Sequence, residues 1–174
     1  DKEGDELLSR RMKLLSFVRP EMLDIKSELF NETLLAIAAD ELRQVNFCKT
    51  PGDKVACIVK SVTLCFRSLS LSKSASGTGG SSSGEESSFA GADDFMPLFI
   101  WVVLRSKIPY LCSTIAYVQA YLNPARLMGK WGYCLINLSS AVEFVKHAEA
   151  DQFIVDPNVY ATKLLQAEKE LNGG

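Results

Sequence analysis

The sequence predicts an all-α protein, a layered helical bundle, on three observations. Outside one Ser/Gly-rich stretch, apolar residues recur at steps of three and four, the period of a buried helical stripe. Strand-like alternation survives nowhere in the sequence. Helix-start signals stand where stripes begin: Thr50-Pro51-Gly52-Asp53 and Asp156-Pro157 each set a capping side chain before a proline at the first helical position. Stripes of this kind must be buried against one another, so a bundle follows.

Taken in order, an opening helix carries Leu7, Leu8, Leu14 and Leu15 and ends near Pro20. Leu34, Leu35, Ala38, Leu42 and Val45 mark the next. After the Thr50 cap, Val55, Ile58, Val59, Val62, Cys65, Phe66 and Leu69 make a long stripe. Leu111, Ile115, Val118 and Leu122 form another, and Leu135, Leu138, Val142 and Val145 the one after it. Asp156-Pro157 then opens a more charged helix towards Leu171. One domain over 1–174 accounts for all of them, with supporting helices in 1–48, a flexible loop in 73–91 and the functional helices in 92–147.

Serine and glycine take over from Ser68 to Gly91. Such a stretch buries too little apolar area to offset its ordering entropy and reads as a loop. It is not a phosphate-cradling loop, because no G-K-[ST] follows it. Ser70-Leu71-Ser72-Lys73 matches S-x-x-K by chance, without the companion motifs of a serine hydrolase.

Composition narrows the function. At 174 residues, 47% hydrophobic, 23% charged and net charge -2, the chain is globular and lacks the basic excess of a DNA-binding domain. His147 is its single histidine, which excludes a multi-histidine metal site. Cys48, Cys57, Cys65, Cys112 and Cys134 are odd in number, contain no C-x-x-C and mostly sit in apolar runs. They read as buried thiols of a reducing compartment. With no signal peptide and no initiator methionine, the chain is expected to be a fragment of a longer intracellular protein.

Two places carry candidate function. The run after Gly91-Ala92-Asp93-Asp94 is apolar all round but far shorter than the ~20 residues that span a bilayer. It must be central in the fold or offer a face to a partner. With Asp94 as its cap, Pro97 falls at the third helical position, where its missing N–H costs nothing, and Asp93 projects just outside the helix. The acidic pair could equally be ordinary capping. After Gly129, Tyr133, Asn137 and Ser140 recur on a side other than the leucines and valines. That side is either a contact surface or a bundle edge where Tyr133 snorkels.

Arg19-Pro20-Glu21-Met22-Leu23-Asp24-Ile25, Lys49-Thr50-Pro51-Gly52-Asp53-Lys54 and Ala92-Asp93-Asp94-Phe95-Met96-Pro97 resemble the catalytic domain of the vacuolar-protein-sorting-nine family. Asn123-Pro124-Ala125-Arg126-Leu127-Met128 and Gly132-Tyr133-Cys134-Leu135-Ile136-Asn137-Leu138 continue the likeness in order, which spans about Phe17 to Val145 and is nearest to Rabex-type members. The resemblance implies a guanine nucleotide exchange factor for endosomal GTPases of the Rab-five subfamily, cytoplasmic and recruited to early endosomes. It implies Asp93 as the family's aspartate finger, Tyr133 as its second catalytic residue, and Pro97, Ile136 and Asn137 in a GTPase-binding groove. No cofactor, nucleic acid or membrane insertion is implied. Ile136 stands where threonine is frequent, Cys134 and Leu135 replace an aromatic pair, and the Ser/Gly insertion is longer than typical.

The implied chemistry is displacement: a carboxylate brought to the nucleotide's phosphate and magnesium site opposes the phosphate charge and competes for its cationic ligands. The alternative is a helical adaptor that binds a GTPase or peptide without accelerating exchange. A conventional enzyme fits poorly, since no nucleophile–base pair can be assembled around one histidine.

Overall fold

The computed structural model describes residues 1–75 and 92–174. Among the described residues there are seven α-helices and no strand: α1 (Lys2–Leu14), α2 (Glu32–Arg43), α3 (Pro51–Ala75), α4 (Ala92–Ser106), α5 (Leu111–Tyr121), α6 (Lys130–His147) and α7 (Pro157–Asn172). The all-α expectation holds. Both proline starts behave as the sequence predicts. Thr50 Oγ1 accepts from the Asp53 N–H at 3.1 Å and donates to the Asp53 carboxylate at 2.7 Å. Asp156 Oδ1 accepts from the amides of Asn158 and Val159 at 2.8 and 3.2 Å.

One boundary departs from expectation. The segment from Ser68 was assigned to the Ser/Gly loop, yet α3 continues through Ala75. Ser68 is buried, donating to the Leu29 carbonyl at 2.6 Å and accepting from the Asn31 N–H at 3.1 Å. Ser70 and Ser74 turn their hydroxyls back onto the carbonyls of Phe66 and Ser70, so serine hydrogen bonding is satisfied inside the helix. The rest of that segment, 76–91, lies outside the described residues.

The core is layered around α3 and α4. α2, α4, α5 and α6 all pack on α3, and α4 is enclosed by α2, α3 and α6. The apolar run of α4 is thereby spent on packing: Leu98, Phe99, Val102 and Val103 are fully buried. α3 is long and apolar enough to cross a membrane by composition, but Val55, Ile58, Val62 and Cys65 on it are all buried within the fold. α1 covers α5 and α6, and α7 lies on α1. α7 buries only Tyr160, which meets Phe17 and Phe153 at 5.6 Å each.

Helix ends are closed by charged side chains from other elements. No side chain of its own caps α5, whose preceding residue Tyr110 has φ 64. Asp5 of α1 supplies the cap, accepting the Ser113 N–H at 3.1 Å and the Ser113 hydroxyl. Six residues on, Arg11 donates to the carbonyls of Val145 and Ala148 at the end of α6. Arg43 likewise donates to the carbonyls of Arg105 and Ser106 at the end of α4, at 2.9 and 2.8 Å. Each carboxylate or guanidinium therefore meets the helix pole of opposite sign.

Two glycines shape the start of α6. Gly129, before the first helical residue, has φ 83 and ψ −140, a region L-residues avoid. A Cβ on Gly132 would stand 1.8 Å from the Leu127 carbonyl oxygen, so only glycine lets the turn Pro124–Leu127 sit on α6.

Two stability effects are expected. Arg11→Ala should lose about 1.5–3 kcal/mol in urea unfolding, the range for a hydrogen bond to a charged group, and Arg11→Lys should recover part of it. Gly132→Ala should lose about 1–3 kcal/mol, because the turn must be displaced to admit the methyl. An unfolding midpoint unchanged from wild type in either alanine variant would contradict the corresponding contact.

Candidate functional site

The first candidate residues stand at the start of α4. The expectation that Asp94 caps this helix and that Asp93 lies outside it is corrected: the helix includes Ala92, and both aspartates fall in its first turn. Pro97 is then the sixth helical residue, not the third. Lacking an N–H, it leaves the Asp93 carbonyl without its intrahelical donor. Tertiary contacts and charge offset that loss. Phe95 is buried and stacks on Phe66 at 4.3 Å and on Phe99 at 5.5 Å, holding the first turn down. Two carboxylates in the first turn also face the positive pole of the helix.

Asp93, Met96 and Pro97 share a face of α4 by their spacing. Asp93 is exposed, and Asp94, Met96 and Pro97 are half-buried. Asp93 makes no side-chain hydrogen bond or ion pair among the described residues. The buried Phe95 and the exposed Asp93 thus divide the work of this turn between anchoring and display.

The second group stands on α6, which packs directly against α4. Gly132, Cys134, Leu135 and Leu138 face the core. Tyr133 is 47% exposed and Ile136 67% exposed, with the half-buried Asn137 beside them. Asn137 Nδ2 donates to the Tyr133 carbonyl at 2.8 Å, so its amide is fixed along the helix surface. Ser140, grouped with them by spacing, is exposed one turn further on. The structure therefore gathers Tyr133, Ile136 and Asn137 on one surface and Asp93 and Pro97 on the adjoining helix. No side-chain hydrogen bond joins the two groups.

The atypical residues divide by burial. Cys134 and Leu135 are inside, whereas Ile136 turns an apolar side chain to the surface. Burial pushes the Cys134 thiol up, which leaves no reactive nucleophile beside Tyr133. Among the described residues no cluster of three or more His, Cys, Asp or Glu could hold a metal ion. What the surface displays is the exposed Asp93 carboxylate, with no side-chain partner among the described residues, and an apolar, aromatic patch.

Two further large side chains are exposed, before the start of α6 and at the end of α5. Met128, 79% exposed, immediately precedes the Gly129 start of α6, and Tyr121 is exposed at the end of α5, 5.0 Å from the Tyr117 ring. Neither belongs to a helical stripe, so periodicity is silent about them; a large apolar side chain in a polar turn is the only signal. Arg126 steadies the turn between them, stacking on Trp131 at 4.4 Å and passing close over Gly52 at the start of α3.

Residues 35–150 match the model of the vacuolar sorting protein 9 (VPS9) domain. Over 99% of its length the chain is 33% identical to vacuolar protein sorting-associated protein 9A of Oryza sativa subsp. japonica, covering 34% of that protein. It is 31% identical over 86% of its length to the human Rab5 GDP/GTP exchange factor, covering 29% of it. A third likeness, 32% over 82% of the chain, is to GTPase-activating protein and VPS9 domain-containing protein 1 of Xenopus laevis, of which 9% is covered. The chain thus spans about a third of the length of the first two of these curated relatives. A matched region running from inside α2 to just beyond α6 takes in both residue groups described above, and on that ground the chain belongs to the VPS9 domain family.

Proposed function

We propose that this domain is a guanine nucleotide exchange factor for Rab GTPases of the Rab-five subfamily, acting in the cytoplasm on early endosome membranes. The observation that carries the reading is Asp93: an exposed carboxylate with no side-chain partner among the described residues, on a turn anchored by Phe95, in a helix packed against the α6 that displays Tyr133, Ile136 and Asn137. Family membership and the name of the human relative support the activity.

The mechanism follows from charge and linkage. A GTPase holds its nucleotide through magnesium, a lysine and backbone amides around the phosphates. The apolar patch of Tyr133, Ile136 and Pro97 binds the GTPase's mobile segments and holds them apart. Asp93 then enters the phosphate and magnesium site, where like charge opposes the phosphate and the carboxylate takes over its cationic neighbours. Binding that favours the nucleotide-free form lowers nucleotide affinity by the same factor, and each 1.4 kcal/mol of preference is about tenfold. No covalent bond is made, so the domain needs no cofactor of its own. An adaptor that binds without promoting release would use the same apolar patch but would have no need of the Asp93 charge.

Fluorescent-nucleotide release from a panel of Rab proteins tests the reading. Asp93→Asn should abolish most catalysed release while leaving the melting temperature near that of the parent chain. Asp94→Ala should keep most of the activity and cost about 0.3–1 kcal/mol of stability, as for a lost charge at a helix pole. Undiminished release by Asp93→Asn would remove the electrostatic step, and a parent chain that binds a Rab yet speeds release from none of the panel would leave the adaptor.

Tyr133 is expected to act through ring area. Phenylalanine there should retain much of the exchange efficiency, and alanine should cost on the order of 1–3 kcal/mol. An alanine variant as active as the parent would place Tyr133 outside the interface.

A further inference from the structure

Four of the five thiols are buried, and Cys48 alone is partly exposed. It sits between the turn Gln44–Phe47 and the Thr50 cap of α3. Its Sγ donates to the Gln44 carbonyl and lies 3.4 Å from Sγ of Cys57, two turns into α3. That separation exceeds a disulfide bond of about 2.05 Å by little more than one ångström, a shift that side-chain rotation can supply. Among the described residues no other two of the five thiols are in hydrogen-bonding contact.

We infer that Cys48 and Cys57 form an oxidative modification site at which a peroxide closes a reversible intrachain disulfide. Cys48 is the attacked residue because it is the one a small oxidant reaches. Its thiolate attacks the O–O bond of a peroxide ROOH, giving the sulfenic acid and, with a proton, the alcohol or water ROH. Cys57 sulfur then attacks Cys48 sulfur; the S–O bond breaks as the S–S bond forms, and the hydroxide leaves as water with the Cys57 proton. Two thiols and one peroxide become a disulfide, ROH and water. Cys57 suits the second role. Burial and its hydrogen bond with Cys48 hold its thiol up at about 11, so it offers little thiolate to a peroxide but stands against the sulfur it must attack. Cys65 is buried deeply enough that its thiol is raised by burial alone, and Cys112 and Cys134 are raised chiefly the same way.

The test uses the reduced full chain with equimolar hydrogen peroxide, then iodoacetamide in urea. Reactive thiols are expected to fall from five to three, with monomeric mass lower by two hydrogens, and dithiothreitol should restore all five. Trypsin should release residues 44–49 joined to residues 55–60. Cys57→Ser should instead leave a Cys48 sulfenic acid that dimedone captures, and Cys48→Ser should leave Cys57 free. The assignment is overturned if Cys48 proceeds to sulfinic acid while Cys57 stays free, if Cys48 pairs between chains, or if Cys48→Ser still loses thiols.

Discussion

The two helices that carry the candidate residues, α4 and α6, both end against guanidinium groups borrowed from other helices. A helix terminus leaves backbone donors or acceptors unpaired, and leaving them so inside a packed fold costs as much as a broken hydrogen bond. α5 begins at Tyr110 in a left-handed conformation with no local cap, and Asp5 reaches across from α1 to close it. α6 ends under Arg11 of the same helix. One short helix therefore fixes the start of α5 and the end of α6, and each charge meets a pole of opposite sign. α1 lies outside the region matched to the VPS9 family, so its supporting part is a physical one: it locks in place two helices of the matched domain.

The same logic holds at α4. Arg43 closes its end with two hydrogen bonds, and Arg105, on its last turn, donates to the Val18 carbonyl while lying over Trp101 at 4.1 Å. Its beginning is held differently, by Phe95 stacked on Phe66. With both ends fixed, a proline in the sixth position loosens only the first turn, and the missing bond falls at the Asp93 carbonyl. A turn that is anchored on one side and short of a backbone bond on the other suits the outward reach proposed for Asp93.

Legibility in the sequence follows the range of the interaction. The caps at Thr50 and Asp156 could be read because acceptor and donor lie within three residues. Asp5 with Ser113, and Arg11 with Val145, could not, since more than a hundred residues separate them. Ser68–Ala75 reads as loop by composition, but buried Ser68 and the back-bonded hydroxyls keep it helical. The start of α4 was misplaced for a related reason. Proline statistics favour the first turn, whereas aromatic packing of Phe95 decided the matter here. On the site, periodicity separated Tyr133 and Asn137 from the core face but could not say what the face was for. Met128 and Tyr121 fall outside every stripe and became visible only through exposure.

Gly132 ties the scaffold to the surface. Its missing side chain admits the Leu127 carbonyl, so the turn Pro124–Leu127 rests directly on the first turn of α6. Met128, at the end of that turn, and Tyr133, next to Gly132, are held in relation by backbone contact instead of by flexible side chains. Arg126 extends the tie to Trp131 and to the start of α3. Backbone preorganisation of this kind lowers the ordering cost of binding, because the turn and the helix start need not be ordered when a partner arrives. Under the proposed function the exposed Asp93 carboxylate acts by its charge alone, and rigidity is what gives that charge consequence. Under the proposed mechanism a charge on a yielding turn would retreat from an opposing phosphate, whereas a charge on a turn pinned by Phe95, in a helix pinned by Arg43, would transmit the repulsion to the GTPase.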